Sequence, residues 1–520
     1  MVSTATEPIL AVVPPHIALE VDGRAVEVPD DGSSLLEVLR ERLGMHGAKD
    51  GCSPQGQCGC CTVLVDGAPR VACVTPVRRV AGKRITTIDG LPDDERRAWA
   101  DAFVATGGSQ CGFCTPGIVC RLAGAAPATP EAVDRALAAH LCRCTGWQTI
   151  VEAVAAKGAP ATARDLEAAG RRATIEGGVP QRVGPEVVLG GGGFADDTAP
   201  EGSLVAVPDG QGGWGVGETL AEARVAAGKV QGRRTTAPPR HPIEVPAGEW
   251  ARTLRTTWVE PAYLETDASW CAPGGDPASP LGNGGAFGGK ATSLAPTAAR
   301  RLADQHGRPV RVLLSREDTV RLGAKRPPLA AGVRADGSGE VVVARTPGIA
   351  EAIASVAPGL TVTEVDVHGP PTSTALRGAG WAEALLLGAG LAGDPVVTLT
   401  SPNGATATAE VIDGMIRVRV DCGDLLDEVV LRSYCIGAAH MALGWITSEG
   451  LAVDETGEVR DLTIRSFGII RPAAMPRVEV ELIGSGEPVN GSDAVFAAVA
   501  AAVWIGQGCP QDLPTGGAFR

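Results

Sequence analysis

Eight cysteines carry the chemistry open to this sequence. Cys52, Cys58, Cys61 and Cys73 form one quartet, and Cys111, Cys114, Cys142 and Cys144 form a second soon after it. The thiolate is the ligand form of cysteine, and four converging at each of two places predict two metal centres. The first spacing, Cys-x5-Cys-x2-Cys-x11-Cys, is one residue longer in its first gap than the plant-type 2Fe–2S pattern. Four cysteines also suit a structural zinc ion, and Cys111–Cys114 alone could be a redox CxxC. The long gap before Cys73 speaks against a zinc knuckle. Gly51, Gly56 and Gly59 let the backbone wrap closely and aim N–H groups at sulfur. Cys60, inside the turn between Cys58 and Cys61, reads as the spare thiol. Electron transfer is therefore the first function the residues suggest.

The elements around these cysteines must bring them together. Ile17–Val21 and Ala25–Val28 alternate about Asp22-Gly23, a hairpin signal. Ser34-Leu-Leu-Glu37 reads as a capping box, with Leu35, Leu36, Leu39 and Leu43 on one helical face. A second hairpin, Thr62–Val65 and Ala68–Cys73 about Asp66-Gly67, sets position 61 opposite 72 and so brings Cys61 near Cys73. Strand, strand, helix and cysteine loop is the order of a β-grasp ferredoxin. From about 92 to 160 the pattern becomes helical. Thr115-Pro116 reads as N-cap and first helical position, and Thr145-Gly-Trp-Gln148 as a second capping box. Both cysteine pairs then precede helix N-termini, whose partial positive charge favours thiolate.

Composition narrows the partners. A formal charge of −14 over 520 residues disfavours nucleic acid and anionic membrane. The apolar run Ala494–Ile505 is too short to span a bilayer. Met1–Pro15 reads as a short disordered lead without the order of a signal peptide. The expected compartment is thus the cytoplasm, where thiols stay reduced and clustered cysteines favour metal. The isolated Cys120, Cys271, Cys422, Cys435 and Cys509 read as small buried hydrophobes. The seven histidines show no ligand spacing.

Gln110-Cys-Gly-Phe-Cys-Thr-Pro-Gly117 and Leu141-Cys-Arg-Cys-Thr-Gly146, placed after a ferredoxin-like quartet, closely resemble the xanthine dehydrogenase and aldehyde oxidase family of molybdenum hydroxylases. The resemblance covers about residues 15–160. It implies two 2Fe–2S clusters, with the second nearest the molybdenum and Gln110 contacting molybdopterin. More patchily, the second half resembles the family's molybdopterin-binding subunit. Gly284-Gly-Ala-Phe-Gly-Gly-Lys290 looks like its glycine loop, which places Gly284, Gly285, Phe287 and Gly288 at the cofactor, with Ala286 where another glycine is usual. Ser315-Arg-Glu-Asp318, Lys325-Arg-Pro327 and Ala375-Leu-Arg-Gly-Ala-Gly380 are further matches, and Arg377 takes the place of the family's cofactor-side arginine. Glu265, in Tyr263-Leu-Glu-Thr266, is either a pocket residue or a solvated charge.

The family uses a Gly-x-Gly-Glu glutamate as catalytic base. Gly215-Val-Gly-Glu218 comes too early in the chain. Gly484-Ser-Gly-Glu487 lies in the right region and makes Glu487 the candidate base. In a second register Ala494 occupies the glutamate's place, with Asp493 as a helix N-cap. The expected fold is α+β: a ferredoxin domain over 15–91, a helical 2Fe–2S domain over 92–160, a linker over 161–200, and a shortened molybdopterin-binding-like region over 201–520. The family layout further implies a flavin subunit or a further molybdopterin subunit as partner, and a heteroaromatic or aldehyde substrate. A degenerate, non-catalytic scaffold is the alternative reading of the second half.

Overall fold

The computed structural model describes residues 15–160, 163–228 and 237–517. Almost all of the lead read over Met1–Pro15 lies outside them. The architecture is α+β, with four sheets among the described residues. The first has the strand order Arg24–Pro29, His16–Val21, Arg84–Thr86, Thr62–Val65, Ala68–Val71. His16–Val21 is antiparallel to its hairpin partner and parallel to Arg84–Thr86, the mixed pairing of a β-grasp. The second hairpin closes at Asp66-Gly67 with Thr62 opposite Val71, and the Ala72 N–H donates to Cys61 O at 3.2 Å. Cys61 and Cys73 are therefore held at its open end, as the spacing requires.

Two helix starts differ from expectation. Thr115–Ala125 begins at Thr115 itself, with Cys114 as N-cap. Gln148–Ala156 has Trp147 as N-cap and no side-chain cap. Thr145 instead turns its hydroxyl to Cys142 Sγ, 3.1 Å away. The same hydroxyl accepts from the Trp147 N–H at 3.4 Å, one residue short of the Gln148 helix start. Ser34 does cap its short helix, accepting from the Glu37 N–H at 3.2 Å.

The stretch 163–200 is packed rather than loose. It holds the helix Leu166–Gly177, whose buried Arg172 and Glu176 form an ion pair. Glu176 accepts from the backbone N–H groups of Gly491 and Ser492, fixing the stretch to the C-terminal helix. The second half builds three more sheets, among them Val396–Thr400, Thr406–Ile412, Met415–Asp421 and Val478–Ile483. Its core is the helix Glu428–Thr447, packed on Ser492–Gly506. Glu428–Thr447 is long and apolar enough to cross a membrane, but it is buried within the protein.

Candidate metal centres

The first quartet gathers from the loop after the first helix and from the second hairpin. The thiol of Cys52 meets those of Cys58 and Cys73, and Cys73 meets Cys61. All four side chains are buried. The Gln55 N–H points at Cys52 Sγ at 3.3 Å and the Cys73 N–H at Cys61 Sγ at 3.4 Å, the backbone-to-sulfur contacts that tune a cluster. Cys60 is buried beside Cys58.

The second quartet forms two pairs. Cys111 and Cys144 have their sulfurs 3.6 Å apart, and Cys114 meets Cys142. The Cys114 thiol and then Thr145 draw Cys142 down to about 6, against the effect of burial. In this second quartet the thiols meet in two pairs, which suits a cluster of two irons, each held by two sulfurs.

The two loops touch directly. The Leu141 N–H donates to Cys58 O at 2.9 Å, and His140 Nε2 lies 3.1 Å from Thr62 Oγ1. Burial, assisted by Arg121, holds His140 down at about 3, so it is a neutral packing group. Its role has no sequence signal because its partners lie far along the chain.

The second half buttresses both quartets. Gly285 has φ +80°, and a Cβ there would stand 3.0 Å from Cys111 Sγ and 3.5 Å from Cys144 Sγ. Gly437 of the core helix lets Cys144 O approach to where its Cβ would be, 1.7 Å away. Arg143, between two ligand cysteines, pairs with buried Glu449, with Nη2 to Oε2 at 2.7 Å. Arg316 donates to Tyr263 O at 2.6 Å, Leu264 O at 3.0 Å and Gly51 O at 3.2 Å. Asn283 donates to Cys111 O at 3.2 Å.

The residues matched to molybdopterin are held by protein partners. Gln110 Nε2 donates to Cys144 O at 3.0 Å and to Ser433 Oγ at 2.9 Å. Phe287 lies beneath the Arg377 guanidinium, 5.2 Å from its ring centroid, and a Cβ at Gly288 would collide with Ala375 O. Arg377 donates to Asp493 at 2.8 Å and to Ser492 Oγ at 2.8 Å. Arg326 clasps Glu383 through two bonds of 2.6 and 2.8 Å, stacked 4.1 Å over the Trp445 ring. The space beside Arg377 and Phe287 is about 30 Å³, and that beside Gly284 and Gly285 about 10 Å³. These are water-sized volumes, whereas a cofactor site needs roughly 300 Å³ or more. Molybdopterin does not fit this closed arrangement.

Glu487 is exposed on the loop before the last long helix, its backbone against Gly423. Ala494 is fully buried in that helix's first turn. Asp493 is not the N-cap: Gly491 is, and Asn490 Oδ1 accepts from the Asp493 N–H at 2.9 Å. Glu218 is a surface partner of Arg308 at 2.7 Å. Glu265 is buried and pairs with Lys290 at 2.8 Å, and burial raises its carboxyl to about 7 despite that lysine. Of the isolated cysteines, Cys120, Cys271, Cys422 and Cys435 are buried and Cys509 is half-buried.

Known proteins match this geometry. The family described as the 2Fe–2S iron-sulfur cluster binding domain matches residues 18–78, and the 2Fe–2S binding domain family matches 87–155. The chain is 39% identical over 130 residues to the xanthine dehydrogenase iron-sulfur-binding subunit of Escherichia coli, covering 24% of this chain and 80% of that one. It is 41% identical over 144 residues to the nicotine 6-hydroxylase small subunit of Paenarthrobacter nicotinovorans, covering 27% of this chain and 87% of that one. It is 44% identical over 133 residues to the aldehyde oxidoreductase of Megalodesulfovibrio gigas, but this spans only 24% of this chain and 15% of that longer protein. The solved aldehyde oxidoreductase from Desulfovibrio gigas shares the fold across 94% of this chain and 97% of its own, with TM-score 0.67 at 15% identity. Two thiol quartets, matched family domains and small subunits covered over most of their length establish one conclusion: the chain belongs to the molybdenum hydroxylase family of xanthine dehydrogenase and aldehyde oxidase, and its cofactors are two 2Fe–2S clusters.

Proposed function

We propose that this chain is the electron-transfer member of a molybdenum hydroxylase assembly, and that its second half is a non-catalytic scaffold for the two clusters. The carrying observation is a contrast in how polar groups are used. Within each quartet the thiols face one another, whereas Arg377, Arg326 and Gln110 are tied to protein partners in water-sized spaces. Electrons enter at the cluster of Cys111, Cys114, Cys142 and Cys144 from a molybdopterin subunit. They pass to the cluster of Cys52, Cys58, Cys61 and Cys73, and leave to a flavin subunit or another acceptor. Each cluster carries one electron at a time, so a two-electron oxidation of a heteroaromatic or aldehyde substrate on the partner is split into single steps. Cytoplasmic residence would keep the thiols available to iron. The division at 91, 160 and 200 separates ferredoxin domain, helical cluster domain, connecting stretch and scaffold.

Metal analysis of the purified chain tests this. About four irons per chain and no molybdenum are expected, two irons for each cluster. Stoichiometric molybdenum, with oxidation of an aldehyde or purine by the chain alone, would overturn it. That competing reading is favoured by the retained left-handed glycines Gly284, Gly285 and Gly288, and would require the Arg326–Glu383 clasp to open.

A further inference from the structure

A cavity of about 190 Å³ lies where the first cluster loop meets the sheet strands Leu204–Pro208 and Val310–Leu313 and the helix Leu220–Ala226. No element of the proposed electron path uses it. One wall is apolar: Leu36, Leu220, and the edge-to-face pair Phe113 and Phe194, with ring centroids 5.1 Å apart. The remaining lining is acidic, with eight Asp or Glu side chains against two arginines. Lys49, Arg311 and Lys290 stand behind the wall, paired with Asp197, Asp196 and Glu265 respectively. Counting them still leaves eight carboxylates against five cations.

One carboxylate lacks a complete set of partners. The Glu265 side chain is only 9% exposed, and its Oε2 meets Lys290, while Oε1 has no hydrogen-bond partner. A buried carboxylate oxygen left unpaired is costly, and a donor brought in by a ligand would remove that cost. The volume suits a single ring, since a cavity of about 150 Å³ holds benzene. Aromatic walls receive a flat ring edge-on or offset, and a net negative lining favours a positive charge.

We propose that this cavity binds a small aromatic ammonium ion, with its ring against Phe113 and Phe194 and its charged nitrogen donating to Glu265 Oε1. The site borders both clusters. Asp50 and Ser53 flank Cys52, Phe113 lies between Cys111 and Cys114, and Glu265 also lines the small space beside Cys111 and Cys144. A cation held here stabilises the reduced, more negative cluster and raises its potential. The proposal rests on the cavity, not on the direction of electron flow, so it stands or falls separately from the metal analysis.

The test is calorimetry of the full chain carrying its iron, titrated with benzylammonium and with benzyl alcohol as the neutral counterpart. Saturable binding of benzylammonium, with the alcohol about tenfold or more weaker, is expected from the loss of a charge-assisted bond. Glu265→Gln should weaken benzylammonium about tenfold. Leu220→Trp, which fills the cavity from the helix side without touching Lys290, should abolish binding while iron content stays at the wild-type level. A redox titration followed by electron paramagnetic resonance should show the first cluster's midpoint rising on saturation. No saturable binding, equal binding of the alcohol, binding unchanged in both variants, or binding without a potential shift would each overturn the assignment.

Discussion

The cysteine quartets and the closed space beside the glycine loop lie on either side of Gly285, yet they treat buried polar groups in opposite ways. In the quartets, four thiols are turned toward one another with backbone N–H groups aimed at sulfur. Once ionised to the ligand form, four sulfurs so placed would carry a charge that bound metal offsets. Beside the glycine loop, the arginines have found protein partners: Arg377 with Asp493, Arg326 with Glu383, Arg143 with Glu449. A region built to hold a ligand leaves its donors open, and a region built to support one closes them. A conserved-looking motif can thus be followed by side chains that pair with the protein itself. The Arg377 guanidinium ties its own loop to the start of the last long helix through Asp493 and Ser492.

The largest break in this comparison should come from the ligand thiols. Cys61→Ser or Cys114→Ser should remove one cluster, leaving about two irons of four and the spectrum of the other cluster alone. Cys60→Ser should keep all four irons; its losing two would make Cys60 the ligand and one of its neighbours the spare. The next largest effect belongs to the scaffold. Glu449→Leu strands the buried Arg143 guanidinium between two cluster ligands and should cost about 3–5 kcal/mol in denaturant unfolding. The pair Arg143→Leu with Glu449→Leu should recover most of that. A loss in the pair as large as in the single variant would show that Arg143 acts on the cluster itself and not through the ion pair.

The two regions are also unequally legible. Cysteine spacing and Asp-Gly turns are local signals, and so the β-grasp order, the second hairpin's register and the order of the clusters can all be read from the chain. The helix starts at Thr115 and Gln148 differ from their sequence signals, the second because Thr145 binds Cys142 and the N-cap residue Trp147 and not the helix's third residue. The stretch 161–200 reads as a linker because its Arg172–Glu176 pair is buried by residues some 250 to 320 positions away. The same holds for Glu449, whose partner Arg143 is 306 positions distant. Pairings at that range leave no pattern in a single sequence. This is also why Glu487 and Ala494 compete for one place there, and only the fold separates an exposed loop residue from one fully buried in a helix.

Arg377 offers a sharper test of the closed region. If its guanidinium is structural, Arg377→Ala should lower stability by about 2 kcal/mol through the lost charged hydrogen bonds to Asp493 and Ser492. Iron content and both cluster potentials should stay at wild-type values. A drop in bound molybdenum or pterin in the same variant would show that the space opens to a cofactor.

The smallest effect concerns His440, on the core helix Glu428–Thr447 that supports the second cluster loop. Its Nε2 lies 3.0 Å from Ile470 O, and burial, reinforced by Arg143, depresses it from 6.5 to about 4. A buried histidine held neutral binds fewer protons when folded than when unfolded. Its contribution is therefore intact above pH 6.5 and is lost as pH falls from there toward 4. At pH 5 the loss is about 2 kcal/mol. His440→Gln keeps a hydrogen-bonding group but no titration, so its stability should fall less steeply between pH 6.5 and 5 than wild type, whatever its stability at pH 7.5. Parallel profiles would mean that the acid response of the scaffold comes from elsewhere, and that the core helix does not link the second half to the cluster loop through this residue.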